Sequence, residues 1–229
     1  MSKHPLFLLI IVLFISSCSP FGNKDIRKSV ADGLTPKALY AKAEDKLDSG
    51  AVEQAIDQFK VLLEAYPGSK YAIQARLDIA YNLFKSKKYN QAISQLDLFI
   101  EKYPSISSSP YAYYLRGVIA EEKSTSVLDK IVTDSAQRDV QSVRDAYAYF
   151  ILLIEKYPNS KYTEEAINKL SKLRNILAKH EFYVSIYYTK NGSHIGAVNR
   201  SKYIIEHFPN SRVIPDALHL MAYNYDSIG

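Results

Sequence analysis

The sequence predicts an all-α fold: tandem helical hairpins stacked into an α-solenoid of about five repeats, the last incomplete. Three observations predict it. A short signature recurs four times at the ends of apolar helical segments. Glycine and proline number only eight and nine, too few for the many tight turns of an all-β chain. An apolar fraction of 47% supplies enough side chains for a packed core.

The signature reads aliphatic, Glu, variable, aromatic, Pro, at Leu63–Pro67, Ile100–Pro104, Ile154–Pro158 and Ile205–Pro209. An alanine stands twelve residues before each proline: Ala55, Ala92, Ala146 and Ala197. Between the two, apolar residues fall at helical intervals, as in Ala55, Ile56, Phe59, Leu62, Leu63 and Tyr66, so each segment is an amphipathic helix. The alanine lets a neighbouring helix come close. Phe59, Leu96 and Phe150 fill the space one turn later, and Ser201 holds the same place in the fourth copy and fills it poorly. Proline stops the helix, because its ring forbids continuation and pushes the preceding residue toward extended backbone. Ser69, Asn159-Ser160 and Asn210-Ser211 follow and offer caps for the next helix.

Each of these second (B) helices has a first (A) helix upstream. Thr35-Pro36 gives an N-cap and a first-turn proline, leading through Leu39, Tyr40, Ala43 and Leu47 to a turn at Gly50. The second A helix runs from about Tyr71 to Lys85 through Leu77, Ala80 and Phe84. The third starts at Ser109-Pro110 and carries Tyr113, Tyr114, Gly117 and Ile119. The fourth is long, roughly Thr163 to Tyr188, and ends at the turn signal Asn191-Gly192-Ser193; a fifth starts near Ile214. Pro67 and Pro104 lie 37 residues apart, close to the period of about 34 that marks tetratricopeptide repeats. The next two intervals are 54 and 51 residues, so the chain is lengthened twice, by a polar insertion at residues 123–143 and by the extended fourth A helix. The fifth A helix lacks its B partner, leaving the stripe Leu218, Met221 and Tyr225 uncovered; the native chain is expected to continue past Gly229.

The N-terminus is of a different kind. Lys3 precedes the unbroken apolar run Leu6–Ile15. That run falls well short of the roughly 20 residues needed to cross a bilayer, so residues 1–17 read as a signal peptide. The ending Ile15-Ser16-Ser17-Cys18 resembles a bacterial lipobox, which implies that Cys18 is diacylated and becomes the new N-terminus; Ser19, in place of Asp, implies transfer to the outer membrane. Acyl chains, at about 0.8 kcal/mol per buried methylene, anchor such a protein stably. Residues 18–34, with Pro20, Gly22 and Gly33, read as a flexible tether. Cys18 is the sole cysteine, so an internal disulfide and a cysteine zinc site are both excluded.

Reaction chemistry is not encoded in any familiar pattern. The chain has no Gly-x-x-x-x-Gly-Lys loop, no Gly-x-Ser-x-Gly elbow and no His-Glu-x-x-His pair. His180, His194, His207 and His219 are scattered without ligand spacing, and Glu64, Glu101, Glu155 and Glu206 recur one per repeat, not as a convergent pair. No catalytic residue, metal site or cofactor is expected. The net charge of +5 is spread out, compatible with an anionic membrane surface and too diffuse for nucleic acid. Tyrosine is the compositional outlier at 19 residues, and its apolar ring with a hydrogen-bonding tip suits contact surfaces.

Several segments go beyond repeat periodicity: Tyr114-Leu115-Arg116-Gly117, Asp134 to Asp139, Tyr157 to Thr163, Leu177 to Phe182, Tyr187 to Gly192, and Val198-Asn199-Arg200. Together they resemble the BamD family, lipoproteins of the machinery that folds β-barrels into the bacterial outer membrane. The resemblance covers nearly everything from Cys18 to Gly229, with the missing end as its one departure. It implies a non-catalytic scaffold, lipid-anchored at the periplasmic face of the outer membrane, in the company of other small lipoproteins of that assembly. It further implies that the C-terminal repeats (144–229) bind the last periplasmic domain of a BamA-like barrel subunit, and that the N-terminal repeats (35–122) hold the C-terminal targeting strand of unfolded outer-membrane proteins. By position, Arg200 matches a family residue linked to communication with the barrel subunit; Asn199, with Arg138 and Asp139 of the insertion, completes the expected partner-binding set. An arginine fits this role because its fork binds a carboxylate in two places at once. Secretin pilotins and envelope coordination factors share the repeats and the lipobox and form the alternative, but are not expected to share Arg138-Asp139 or Val198-Asn199-Arg200.

For the peptide groove the expectation comes from repeat geometry. Aligning the copies on their prolines puts Tyr40, Leu77, Tyr81, Phe84, Tyr111 and Tyr114 on the A-helix face that lines the concave side. An aromatic groove with phenolic tips suits an extended, aromatic-ended peptide.

Overall fold

The computed structural model describes residues 33–125 and 140–229. The signal peptide, Cys18, nearly all of the tether, and Arg138 and Asp139 of the insertion lie outside the described residues. Within them the chain forms nine helices: α1 (Pro36–Asp48), α2 (Val52–Ala65), α3 (Lys70–Lys85), α4 (Tyr89–Lys102), α5 (Ser109–Ser124), α6 (Gln141–Lys156), α7 (Thr163–Lys190), α8 (His194–His207) and α9 (Ile214–Asp226). This is the expected all-α repeat architecture. Two compact units meet within α3, at Arg76 and Leu77.

In the first unit the Thr35 hydroxyl accepts the Ala38 N–H at 3.2 Å and Pro36 occupies the first turn of α1. Gly50, at φ +76°, turns the chain into α2; a residue with a Cβ adopts that backbone only under strain. Leu39, Ala43, Ala55, Ile56, Phe59 and Leu62 form the buried face of the α1–α2 hairpin. The Tyr40 ring sits 5.4 Å from that of Phe59 and 5.6 Å from that of Tyr71. Tyr66 donates its hydroxyl to the Leu34 carbonyl at 2.9 Å, tying the end of α2 to the start of α1.

The second unit carries the hairpins α5–α6 and α7–α8, with α4 on α5, α6 on α7, and α9 on α8. Tyr113, Phe150, Leu153, Leu173, Leu177, Ile204 and Phe208 belong to one continuous core. Arg116 is buried beside it, donating to Asp97 at 2.6 Å with its guanidinium 4.0 Å from the centre of the Tyr149 ring. That burial gives the Tyr-Leu-Arg-Gly segment a packing role.

The four signatures behave alike. In α2, α4, α6 and α8 the helix ends two residues before the proline, and the aromatic residue between them (Tyr66, Tyr103, Tyr157, Phe208) has φ between −139° and −128° with ψ of 50° to 66°. Its N–H still bonds the carbonyl four residues back, while the proline that follows keeps its ψ out of the helical range. Ala55, Ala92, Ala146 and Ala197 have no exposed surface.

Two expectations need correction. Ser201 does not leave a poorly filled gap: it is fully buried, and its hydroxyl pairs at 2.9 Å with that of Ser185, which reaches the Ala197 carbonyl at 2.9 Å. A matched hydroxyl pair replaces the apolar filler, and pairing removes most of the cost of burying it. The serines after the prolines also cap less uniformly than expected. Ser69 accepts the Ala72 N–H at 3.0 Å. Ser160 and Ser211 instead accept N–H groups two residues ahead, from Tyr162 at 3.3 Å and Val213 at 3.2 Å, and so shape the approach turns; no side chain caps α7 or α9.

α9 is pinned by one buried amide. Asn224 donates to the Thr189 hydroxyl at 2.9 Å and to the Leu220 carbonyl at 2.7 Å, and its Oδ1 lies 2.8 Å from His194 Nδ1. Leu218 and Tyr225 stand exposed on the other side, as does Tyr223. Among the described residues no helix is long and apolar enough to cross a membrane.

Gly117 of α5 packs directly against the Phe150 ring of α6. A Cβ built there would lie 2.5 Å from Cε1 of Phe150, a ring with no exposed surface into which to retreat. Alanine gains roughly 1 kcal/mol of helix propensity over glycine, but overpacking a tight core costs about 1–3 kcal/mol. Gly117→Ala is therefore expected to lower the midpoint of thermal unfolding by several degrees, read by circular dichroism, while Gly68→Ala, which meets nothing within 4 Å, does not.

Candidate functional site

The second unit presents two clusters of side chains with binding chemistry. The first lies where α3, α5 and the start of α7 come together. Tyr162 stacks on Tyr114 with ring centroids 4.9 Å apart and planes 18° from parallel, and Tyr111 approaches Tyr162 at 5.7 Å. Tyr81 is 42% exposed and meets Phe84 edge-on at 6.4 Å. The phenol of Tyr114 hydrogen-bonds the Glu165 carboxylate. Lys169, one turn further along α7, bridges Glu165 at 3.8 Å and Glu121 at 2.7 Å. Burial pushes the Tyr114 phenol well above the ordinary tyrosine value, and the Glu165 hydrogen bond and the charges of Glu165 and Glu121 add to it. Tyr111 is raised as well, first by burial and then by Tyr81, Tyr162 and Asp78. The patch is thus aromatic, rich in hydroxyls that stay protonated, and edged by acids.

This geometry brings Tyr81, Tyr111 and Tyr114 together, with Phe84 beside Tyr81. Leu77 is corrected: it is 3% exposed and belongs to the core, because its turn of α3 faces inward, so it offers no surface to a peptide. Tyr40 lies in the first unit and packs on Phe59 and Tyr71. Sequence periodicity missed Tyr162 and Glu165. They stand just before and just inside the start of α7, where an A-helix alignment anchored on distant prolines loses its register.

The second cluster is centred on Glu181, in α7. This carboxylate is 3% exposed and is gripped from both sides: Arg144 of α6 donates to Oε1 at 2.9 Å, and Arg200 of α8 donates to Oε2 at 2.9 Å. Burying a carboxylate is costly unless it is paired and hydrogen-bonded, and here both oxygens are. Beside Arg200 a shallow depression of about 330 Å³ is lined by Tyr188, Gly196, Asn199 and Tyr203. Gly196 lets its helix pack closely there; a Cβ would stand 3.0 Å from Ser193 Oγ and 3.3 Å from the Tyr188 ring. Asn199 and Arg200 thus line the same depression. Arg144 was not singled out in the sequence and Glu181 stood there only within the Leu177 to Phe182 segment, since only the fold brings them within reach of Arg200. Among the described residues no group of three His, Cys, Asp or Glu side chains is placed to hold a metal ion.

The described residues thus define a helical-hairpin repeat protein that carries two surface clusters of aromatic and charged side chains. The family model described as YfiO, outer membrane lipoprotein, matches residues 32–229. Outer membrane protein assembly factor BamD of Neisseria meningitidis serogroup A is 31% identical over 99% of this chain and 85% of its own length. BamD of Xylella fastidiosa strain 9a5c is 32% identical over 97% of this chain and 75% of its own, and that of Haemophilus influenzae 28% over 98% and 84%. The chain belongs to the YfiO/BamD family of outer membrane lipoproteins. A solved tetratricopeptide repeat protein from Parabacteroides merdae superposes with a TM-score of 0.36 at 13% identity, over 88% of this chain and 90% of that one.

The raised phenols make stability depend on alkaline pH. A group whose folded pKa exceeds its unfolded value stabilises the fold fully below the unfolded value, about 10 for tyrosine, and ceases to as pH rises through the folded value. Urea midpoints are expected to fall as pH climbs above 10, and Tyr114→Phe, which has no phenol to ionise, should flatten that fall.

Proposed function

We propose that the protein is a non-catalytic, lipid-anchored scaffold of outer-membrane β-barrel assembly. Cys18 carries the lipid and holds the folded repeats at the periplasmic face of the outer membrane. Residues 144–229 bind a periplasmic domain of a BamA-like barrel subunit, with Asn199 and Arg200, together with Arg138 and Asp139 of the insertion, as contacts. Other small lipoproteins of the assembly complete the complex. The observation that carries this reading is family membership over residues 32–229 combined with the exposed Asn199–Arg200 surface. A pull-down from solubilised membranes tests it: a barrel protein with periplasmic repeats is expected to copurify with the wild type and to be lost with Arg200→Glu. Copurification of a secretin in its place overturns it in favour of a pilotin.

The aromatic patch takes the second role, as receptor for the C-terminal targeting strand of unfolded outer-membrane proteins, through Tyr81, Phe84, Tyr111 and Tyr114 and with Tyr162 as a further wall. Tyr40, in the first unit, is proposed as a further contact. Flat rings hold aromatic side chains of the strand, and phenolic tips bond its backbone. The acids nearest the Tyr111 and Tyr114 phenols, Asp78, Glu121 and Glu165, outnumber the cations beside them, Lys169 and Lys161, so the patch has no excess positive charge to require a free terminal carboxylate. Tyr81→Ala combined with Tyr114→Ala is expected to abolish photocrosslinking to a barrel-derived C-terminal peptide. The same peptide with an amidated terminus should crosslink to the wild type at least as well as the free acid; a strict need for the free carboxylate counts against this patch as the receptor.

A further inference from the structure

Three lysines converge on one surface depression in the second unit. It measures about 280 Å³ and is lined by Lys87, Lys88 and Lys123, with Asn90 and Gln91. Lys87 and Lys88 form the α3–α4 turn, Asn90 and Gln91 open α4, and Lys123 lies in the last turn of α5. Among the described residues, the ammonium groups of Lys87 and Lys123 have no hydrogen bond or ion pair. Residues 85–91 contain three lysines and no acid. Of the acids beside Lys123 in the chain, Glu121 is taken by Lys169, and Glu122 alone does not balance the lysines.

Lys87 stands in a slot built for glycine. Its φ is +61°, and the residues in the same place in the α1–α2 and α7–α8 turns are Gly50 and Gly192, at +76° and +72°. All three turns close with the same two hydrogen bonds. The residue at positive φ donates to the carbonyl three residues back, and its successor donates to the carbonyl five residues back. A side chain on that backbone brings strain that glycine avoids, and strained positions gather at ligand-binding sites. Lysine serves this turn less well than glycine would. What it adds is an unpaired ammonium at the depression.

We propose that Lys87 and Lys123, with Lys88 beside them, form a site for the phosphate group of an anionic phospholipid headgroup. The proposal goes beyond the reading above and takes from it only that the chain is held at a membrane, as its family of outer membrane lipoproteins implies. Lysine presents a compact charge that suits a phosphate, whereas the fork of arginine suits a carboxylate. The lining holds three lysines and no arginine. The side-chain amides of Asn90 and Gln91 supply donors and acceptors for the oxygens and hydroxyls around that phosphate. A chain held at a membrane meets headgroups at a high effective concentration, so a shallow ionic site is enough.

The test is flotation of the full mature chain carrying Cys18→Ser, which removes only the acylation site, with vesicles of phosphatidylcholine alone or mixed equally with phosphatidylglycerol. The chain is expected to float with the mixed vesicles and not with the neutral ones. Lys87→Glu combined with Lys123→Glu is expected to weaken this binding about tenfold or more. Lys42→Glu combined with Lys172→Glu, the same charge change at exposed lysines of α1 and α7, should weaken it far less. Lys87→Gly removes the ammonium and relieves the turn, so it should weaken binding about fivefold with no fall in the thermal midpoint. A chain that ignores the mixed vesicles overturns the proposal, as does equal loss in the two double variants, which marks diffuse attraction. Displacement by millimolar inorganic phosphate, beyond that by chloride at equal ionic strength, overturns the lipid as occupant in favour of a free phosphate. Vesicle binding that survives Lys87→Gly also overturns it, and loss of an assembly partner from the pull-down in that variant assigns the site to an acidic protein instead. None of these outcomes depends on acylation of Cys18 or on the Arg200 surface, so the earlier reading stands or falls separately.

Discussion

Close approach of helices at a small residue, followed by a forced stop, governs this fold. At Ala55, Ala92, Ala146 and Ala197 each B helix has no exposed surface, and twelve residues later a proline ends it at the same backbone geometry each time. A fixed distance between contact point and stop means that each hairpin turns back at the same height above its contact. Gly117 against Phe150 takes the same device to its limit, since even a methyl group does not fit there. Where the rule is relaxed, chemistry changes to suit. In the fourth copy the apolar filler becomes Ser201, and the space is closed by a hydroxyl pair.

Charge is managed by a different logic in the two clusters of the second unit. Around Tyr114, acids border the phenol, burial keeps it protonated, and Lys169 is taken up by Glu121 and Glu165, so the patch offers a hydroxyl donor beside an ion pair. Around Glu181 the acid is inside and the arginines outside, so the surface shows cations whose orientation is set from below. A lone buried Glu181 would be strongly destabilising; either arginine relieves part of that cost, and both together satisfy each oxygen.

Much of this was legible before any coordinates. The recurring alanine and proline fixed which segments were B helices, the Thr35-Pro36 and Ser109-Pro110 starts located A helices, and Gly50 and Gly192 marked turns that the backbone makes at positive φ. What depended on side-chain direction was less legible. Leu77 was placed on the concave face by alignment of the repeats, but it shares the buried side of its helix with Ala80, because a register carried over many residues of helix drifts by a fraction of a turn. Tyr162 stood in a family segment but not in the expected groove, because it precedes its helix, where periodicity has no hold. Arg144, Glu181 and Arg200 are 37 and 19 residues apart in pairs, and no local pattern links them. Pairings of that range come only from how hairpins stack.

One element touches both clusters. α7 runs unbroken for 28 residues from Thr163 to Lys190, without a glycine or proline to bend it. Glu165 lies in its first turn and Glu181 sixteen residues on, which at 1.5 Å per residue sets them about 24 Å apart along the axis. The rod therefore works as a gauge: it keeps the tyrosine patch and the arginine pair at one spacing, about the length of an extended strand of seven residues.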